Sequence, residues 1–462
     1  MKILRLAISA SLLGLAMPRA VAEEWLPVKE TNLEISAGSP LDFSGFLPNT
    51  SIEENNRLIA NADGRLAQAD KPGQVMRLQC AAIAWGPPSS GVVDHAFIDR
   101  YVRQLRLHGY NIARFHFVDA DLMLGQAGDF DVRPEALDRM RYLMAALKRE
   151  GIYWIIDGLT SESGAFGGKD IDRWGPEGNL KRRTYVDDTA FDHWLRFQKE
   201  VYATVNPYTG LAPLQDPALA LVIPFNENGI EFTSFVHENG DGTTFWPGYR
   251  PAFNAFLKKR YADSAALSRA WGELAHDENL ERQTVQLPAS RSGGGRRLRD
   301  FQAFLVESER SLARRMERAL RDLGYRGLVA PYNNWFTVQT ALSRQNQSAL
   351  VANTYQDWIG TLTPGTEIKH TSSIGDAASY VSEIAAGRWL GRPFLVTEYE
   401  HLFWSRYRYE AGLVFPAYAA LQGWDGICRH GQGPITLAFD EAAPFRQRIV
   451  PYTFAVDPVA RA

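Results

Sequence analysis

Eight short apolar runs, each giving way to polar or charged positions, recur along this 462-residue chain and constrain its fold more than any other feature. They cover residues 75–84, 112–117, 153–157, 220–225, 328–331, 349–354, 393–397 and 426–429. Continuous apolar runs of this length read as strands buried on both faces, as in a parallel sheet covered by helices. Amphipathic stretches separate them. DHAFIDRYVRQLRLHG sets Phe97, Tyr101, Leu105 and His108 near one face, and RPEALDRMRYLMAALKREG opens with Pro134 and stops at Gly151. Strands alternating with helices predict an α/β chain, and eight is the number that closes a (β/α)8 TIM barrel.

The barrel is expected to occupy residues 75–462. Residues 23–74 form an N-terminal extension, in which RLIANADGRLAQ predicts a β-hairpin turning at Asp63-Gly64 and lying over one end of the domain. The longest departure from the repeat, 230–295, is an insertion after strand four that carries the helical stretch PAFNAFLKKRYA and the loop SRSGGGRRLRD. Its position beside a strand end predicts that it shapes a cleft. In the last stretch, ITLAFDEAAPFRQRIVPYTFAVDPVARA, no helix pattern is evident, so the final helix is expected to be irregular or missing.

Residues 1–22 have the layout of a cleavable signal peptide: Lys2 and Arg5, an apolar stretch from Leu6 to Met17, then Ala20-Val21-Ala22. The stretch is too short to span a bilayer, and no later segment is long enough, so cleavage after Ala22 and a secreted or periplasmic protein are expected. Loss of Lys2, Arg5 and Arg19, with no acid among them, takes the net charge from −3 to −6. Nothing in that balance invites nucleic acid. Two cysteines, Cys80 and Cys428, exclude a disulfide scaffold and a cysteine zinc site, and read as small core residues.

Two acids carry the functional reading. Glu227, in LALVIPFNENG, and Glu398, in PFLVTEYEH, each follow a buried strand run, which places both carboxylates at carboxyl-terminal strand ends. That position in a barrel reads as catalytic, and two such acids suit glycosidic cleavage, which needs a proton donor and a nucleophile or base. Asn226 would donate an amide to a sugar 2-hydroxyl beside the donor Glu227. Glu398 must be ionised to attack; Arg114, in NIARFHF, and Tyr355, ending ALVANTYQDW, are the groups expected to hold it. Glu400 would share its side of the strand, but lies further from the apolar run.

Asp157, closing YWIID, is expected to orient a neighbour or bind a sugar hydroxyl. His116, Asp119 and Asp121 cluster after strand two, but no second cluster with ligand spacing accompanies them, so no metal is expected. His116, His401 and His430 are placed to meet sugar hydroxyls. Trp85, Trp335, Trp358 and Trp404 all fall just past strand ends, and Trp85 and Trp404 are the preferred stacking platforms, whereas Trp424 reads as core.

Taken jointly, NIARFH, VIPFNEN and FLVTEYEH resemble the second-strand arginine, the Asn-Glu signature and the nucleophile strand of clan A glycoside hydrolases, close to family 5 cellulase-like proteins. YRYEAGLVFPAYAALQGWDGI is similar to the segment after the nucleophile in a bacterial branch of these proteins. The resemblance implies retention of configuration, with Glu227 as acid/base, Glu398 as nucleophile, and Arg114, Asn226 and Tyr355 in support. Two positions depart from the pattern: Asn228 stands where many members have proline, and Asn353 where many have histidine. The expected function is an exported retaining β-glycoside hydrolase acting on β-linked oligo- or polysaccharide without metal or organic cofactor. An inactive carbohydrate-binding barrel and a transglycosylase using the same residues are the alternatives.

Overall fold

The computed structural model describes residues 32–48, 50–83, 94–123, 125–161, 164, 180–230, 248–288, 294–334, 338–357, 365–431, 433–438 and 452. The expected signal peptide, Trp85, Trp335, Trp358 and almost all of the final stretch lie outside them, as do parts of the insertion.

All eight apolar runs form strands: β4 (Leu78–Ile83), β5 (Ile112–Phe115), β6 (Tyr153–Asp157), β7 (Leu219–Ile223), β8 (Leu328–Val329), β9 (Leu350–Tyr355), β10 (Phe394–Glu400) and β11 (Gly426–Arg429). They make one parallel sheet in the order β8-β7-β6-β5-β4-β11-β10-β9. The last strand therefore pairs with the first, Cys428 opposite Cys80, which gives the curled sheet of a (β/α)8 fold. Between β8 and β9 a side chain replaces the ladder. Ser348 Oγ accepts from Val329 N at 2.8 Å and donates to Val329 O at 2.9 Å. β8 stops two residues short of the expected end because Pro331 has no N–H to offer a ladder.

The amino-terminal region has three strands, β1 (Leu58–Ala60), β2 (Leu66–Gln68) and β3 (Lys71–Val75), paired antiparallel in that order. Val75 belongs to this sheet, so the first barrel strand begins later than the sequence suggests. The sheet is tied to the amino ends of the barrel strands. Asp425 Oδ1 accepts from Arg65 Nε at 2.8 Å and Asp425 Oδ2 from Phe394 N at 3.0 Å, while Gln68 Nε2 donates to the Tyr153 hydroxyl at 3.0 Å. Gly64, at φ +71°, packs so close to Gly391 that a Cβ would fall 2.0 Å from its carbonyl carbon.

Helices cover the sheet as the periodicity predicts, with small differences. In the helix His95–Leu107, Asp94 caps the amino end by accepting from Phe97 N, and the buried face is Ile98, Tyr101, Val102 and Leu105. His108 is its C-cap instead of a face residue. Pro134 opens the next helix, Pro134–Arg149. In the insertion, the helices Tyr249–Lys258 and Ser264–Trp271 pack Phe253, Leu257 and Leu267 against Phe301 and Phe304 of the long helix Arg296–Asp322. Trp424 is buried against Phe394 and Phe415.

The two cysteines correct the sequence reading: Cys80 and Cys428 form a disulfide, Cα atoms 4.4 Å apart. Their separation of 348 residues hides a pairing that barrel closure creates. Among the described residues no helix is long and apolar enough to cross a membrane.

Candidate active site

Arg114 organises the carboxyl end of the sheet. β5 is buried throughout, and Arg114 is wholly excluded from solvent. A buried guanidinium must find acceptors for its donors, and this one finds five. Nη1 donates to Glu398 Oε1 at 2.7 Å and to the Thr397 carbonyl at 2.9 Å. Nη2 donates to Asp157 Oδ2 at 2.8 Å and to Asn226 Oδ1 at 2.7 Å, and Nε reaches Asp157 Oδ1 at 3.2 Å. One side chain thus ties together β5, β6, β10 and the turn after β7.

Asp157, the last residue of β6, is fully occupied by Arg114 and His116. It orients those two side chains, the first of the two roles that the sequence suggests. His116 Nδ1 faces the Asp157 carboxylate, so Nδ1 carries the proton and the 3.2 Å approach to Arg114 Nη2 is a contact between two donors. His116 Nε2 is left 3.9 Å from Glu398 Oε1.

Glu398 lies inside β10, which runs on to Glu400, and not past its end. A register shift between Val396 and Glu398 marks a bulge at Thr397, immediately before the acid, which itself pairs with Asn353. Tyr355, two residues beyond Asn353 on β9, donates its hydroxyl to Glu398 Oε2. His430, just past β11, brings Nδ1 to 3.8 Å from the same oxygen. Burial alone would raise the Glu398 pKa; His430, Arg114, His116 and the Tyr355 hydroxyl together outweigh it and hold the carboxyl well below its usual range. Burial pushes the His430 imidazole down to about 4, so near neutral pH Arg114 supplies the fixed positive charge.

Glu227 sits in the turn after β7 with φ 49°, a left-handed conformation that few non-glycine residues adopt. Asn333, just past β8, stabilises that turn: its Oδ1 accepts from Glu227 N at 2.6 Å, and its Nδ2 donates to Asn226 Oδ1 at 2.8 Å. Asn226 Oδ1 is therefore doubly used, and Asn226 Nδ2 has no partner among the described residues. Asn353 Nδ2 donates to Glu227 Oε1 at 2.9 Å, while Asn353 Oδ1 accepts from Thr397 Oγ1 at 2.7 Å, which fixes the amide orientation. Burial and the nearby Glu398 carboxylate raise the Glu227 pKa, against smaller opposing effects from Lys181, Asn353 and His116.

The two acids are thus biased in opposite directions within one connected network. One is held ionised and the other is biased toward its protonated form, the division of labour that an acid and a nucleophile require.

Arg114, His116, Asp157, Asn226, Glu227, Tyr355 and Glu398 are brought together here. Trp404 is 42% exposed, and its ring contact among the described residues is Phe403. Glu400 is consumed by Arg429, with oxygens at 2.6 and 3.0 Å. His401 turns away from the site: it is buried edge-on to Tyr380, not set to meet sugar. Asp119 accepts from Thr160 N and Ser161 N, and among the described residues no group of His, Cys, Asp or Glu has metal-site geometry. Residues that the sequence does not single out for the site are Asn333, Thr397 and Lys181, and Asn353 is visible there only as a departure from a family pattern. Polar residues at the ends of β8 and β9 are the available signal for the two asparagines.

No protein-family model matches the chain, and no curated protein matches it in sequence. Solved structures match its fold. An endo-1,4-β-mannanase from Rhizomucor miehei aligns with TM-score 0.50 and 11% identity, over 81% of this chain and 90% of that one. A β-galactosidase from the psychrophilic Marinomonas ef1 aligns with TM-score 0.52 and 14% identity, over 79% of this chain and 55% of that one. A β-galactosidase from the Antarctic haloarchaeon Halorubrum lacusprofundi gives 0.51 and 14%, over 78% and 54%. The chain thus spans about half the length of the two β-galactosidases and most of the mannanase. At these identities the likeness establishes that the chain has the (β/α)8 fold of these glycoside hydrolases.

Proposed function

We propose that the protein is a retaining β-glycoside hydrolase with Glu398 as nucleophile and Glu227 as acid/base. The observation that carries this reading is the opposite electrostatic setting of two carboxyls joined by one hydrogen-bonded network at the carboxyl end of a barrel. In the first half of the reaction a Glu398 oxygen bonds to the anomeric carbon as the glycosidic C–O bond breaks. The Glu227 proton passes to the leaving oxygen, which spares the reaction a free alkoxide. In the second half a water oxygen bonds to the anomeric carbon, the ester bond to Glu398 breaks, and the water proton returns to Glu227.

The supporting residues fit those steps. Arg114 keeps Glu398 ionised and aimed, and Tyr355 occupies the other oxygen. Asn226 Nδ2, without a partner among the described residues, donates to the sugar 2-hydroxyl. His116 and His430 flank the nucleophile, and Trp404 offers an exposed ring past β10 for stacking, with Trp85 as the second platform. Substrates are β-linked oligo- or polysaccharides. The protein acts outside the cytoplasm after cleavage following Ala22, a setting that suits the Cys80–Cys428 disulfide. N-terminal sequencing of exported protein then begins at Glu23.

The test is turnover of a panel of β-linked gluco-, manno- and galacto-oligosaccharides by wild type and Glu398→Ala. Wild type cleaves at least one member and the variant none. Binding of a panel member without any wild-type cleavage would defeat the proposal.

A further inference from the structure

Lys181 is a cation beside Glu227 that the steps above do not use. It lies on the short helix Leu180–Arg183 and is only 4% exposed. Its Nζ stands 5.7 Å from the centroid of Phe225, two residues before Glu227. Further contacts pin the same segment along the turn that carries the acid. Asn228 Nδ2 donates to Thr184 Oγ1 at 3.4 Å, the Tyr185 hydroxyl donates to the Asn228 carbonyl, and Thr184 Oγ1 donates to the Lys181 carbonyl at 2.7 Å. Among the described residues no carboxylate forms an ion pair with Lys181.

The ionisable groups whose charge is felt at Glu227 are Lys181 from this helix, Glu398 from β10, His116 past β5, Tyr355 from β9, and Tyr452. The Asn353 amide touches it directly. Of these, Glu398 is the group that opposes ionisation by its negative charge, and esterification removes that charge. Neither half of the reaction makes or breaks a bond at Lys181. The balance at Glu227 therefore swings toward the carboxylate at the moment when a base is needed.

We propose that Lys181 is a positioning residue that acts through Glu227: its fixed charge, seated over Phe225, holds Glu227 as a carboxylate once Glu398 is esterified and so promotes activation of water. This rests on the assignment of Glu227 and Glu398 above.

The test compares Lys181→Met, which keeps the stem over Phe225, with Lys181→Arg, which keeps the charge. A 2,4-dinitrophenyl β-glycoside needs no proton to leave, so the second half of the reaction limits its turnover. On the acid side of the profile, kcat of Lys181→Met falls about threefold to tenfold and KM falls with it, leaving kcat/KM unchanged. The acid limb of kcat moves up by about 0.5–1 pH unit. Azide, an anionic nucleophile that needs no base, restores turnover and yields a glycosyl azide. Lys181→Arg stays close to wild type. Independently of activity, the Glu227 carboxyl in 13C-glutamate-labelled full chain, assigned with Glu227→Gln, titrates at higher pH in Lys181→Met. Equal falls in kcat and kcat/KM with unmoved limbs, or an unchanged Glu227 titration, would overturn the inference. If wild type turns over no glycoside at all, the assignment of function falls, and the titration alone decides whether Lys181 acts on Glu227.

Discussion

Replacing Arg114 by methionine removes the guanidinium that joins Asp157 to Glu398 while filling much of the same space. Both carboxylates are buried, and all five donations from the guanidinium disappear. Glu398 keeps the Tyr355 hydroxyl and Asn226 keeps Asn333, so the dominant loss is the buried ion pairing. Breaking such a pair by deleting one partner costs about 3–5 kcal/mol. Urea unfolding at pH 7 should therefore place Arg114→Met about that far below wild type, and kcat/KM should drop by at least about a hundredfold because the nucleophile is no longer held ionised. The pH dependence separates charge from packing. Glu398 is held below its usual pKa in the folded protein, so its contribution to stability is fully present above the unfolded value and is lost as pH falls below it. The variant has less of that contribution to lose. The gap between the two proteins should hold steady from pH 7 to about pH 5 and narrow as pH falls from there to about pH 3. A destabilisation below about 1 kcal/mol, or a gap that does not change with pH, would refute the electrostatic account of this cluster.

The remaining predictions concern the barrel walls and the competing acid. Paired Cys80→Ala and Cys428→Ala substitutions should cost about 2–4 kcal/mol in unfolding assays, and dithiothreitol should bring wild type down to the variant; insensitivity to reduction would argue against the bond. Ser348→Ala removes the side chain that bridges β8 and β9, and should cost about 1–2 kcal/mol with faster amide exchange at Val329; unchanged exchange there would mean the seam is closed otherwise. Glu400→Gln weakens the pair with Arg429 and should lower stability while keeping turnover within about threefold of wild type. A loss as deep as that of Glu398→Ala would instead make Glu400 the candidate nucleophile.

The fold was legible because each barrel strand is a run buried on both faces, and burial of that kind writes itself into local composition. Edges were less legible. β8 is cut to two residues by Pro331, and β10 runs three residues past Thr397 because the buried ion pair of Glu400 extends an apolar strand that composition alone would end. In the site, Asn226-Glu227 and the strand carrying Glu398 announce themselves as acids following apolar runs. The Asn333 and Asn353 contacts do not. They join positions 106 and 126 residues away from Glu227, and an asparagine in or just past a strand looks the same whether it meets solvent or a carboxyl. His401 shows the converse error. It follows its strand as His430 does, yet packs against Tyr380 while His430 faces Glu398. The disulfide is the extreme case, since only closure of the sheet brings Cys428 to Cys80.

The assignment of roles to Glu227 and Glu398 is tested most directly by trapping the glycosyl-enzyme. Wild type incubated with activated 2-deoxy-2-fluoro-β-glycosides of the gluco, manno and galacto series is digested, and the labelled peptide is sequenced by mass spectrometry. One glycosyl unit esterified to Glu398, with trapping abolished in Glu398→Gln, is the expected result. A label on Glu227, Glu400 or any other carboxylate, or steady turnover of these glycosides with no covalent adduct, would contradict the account.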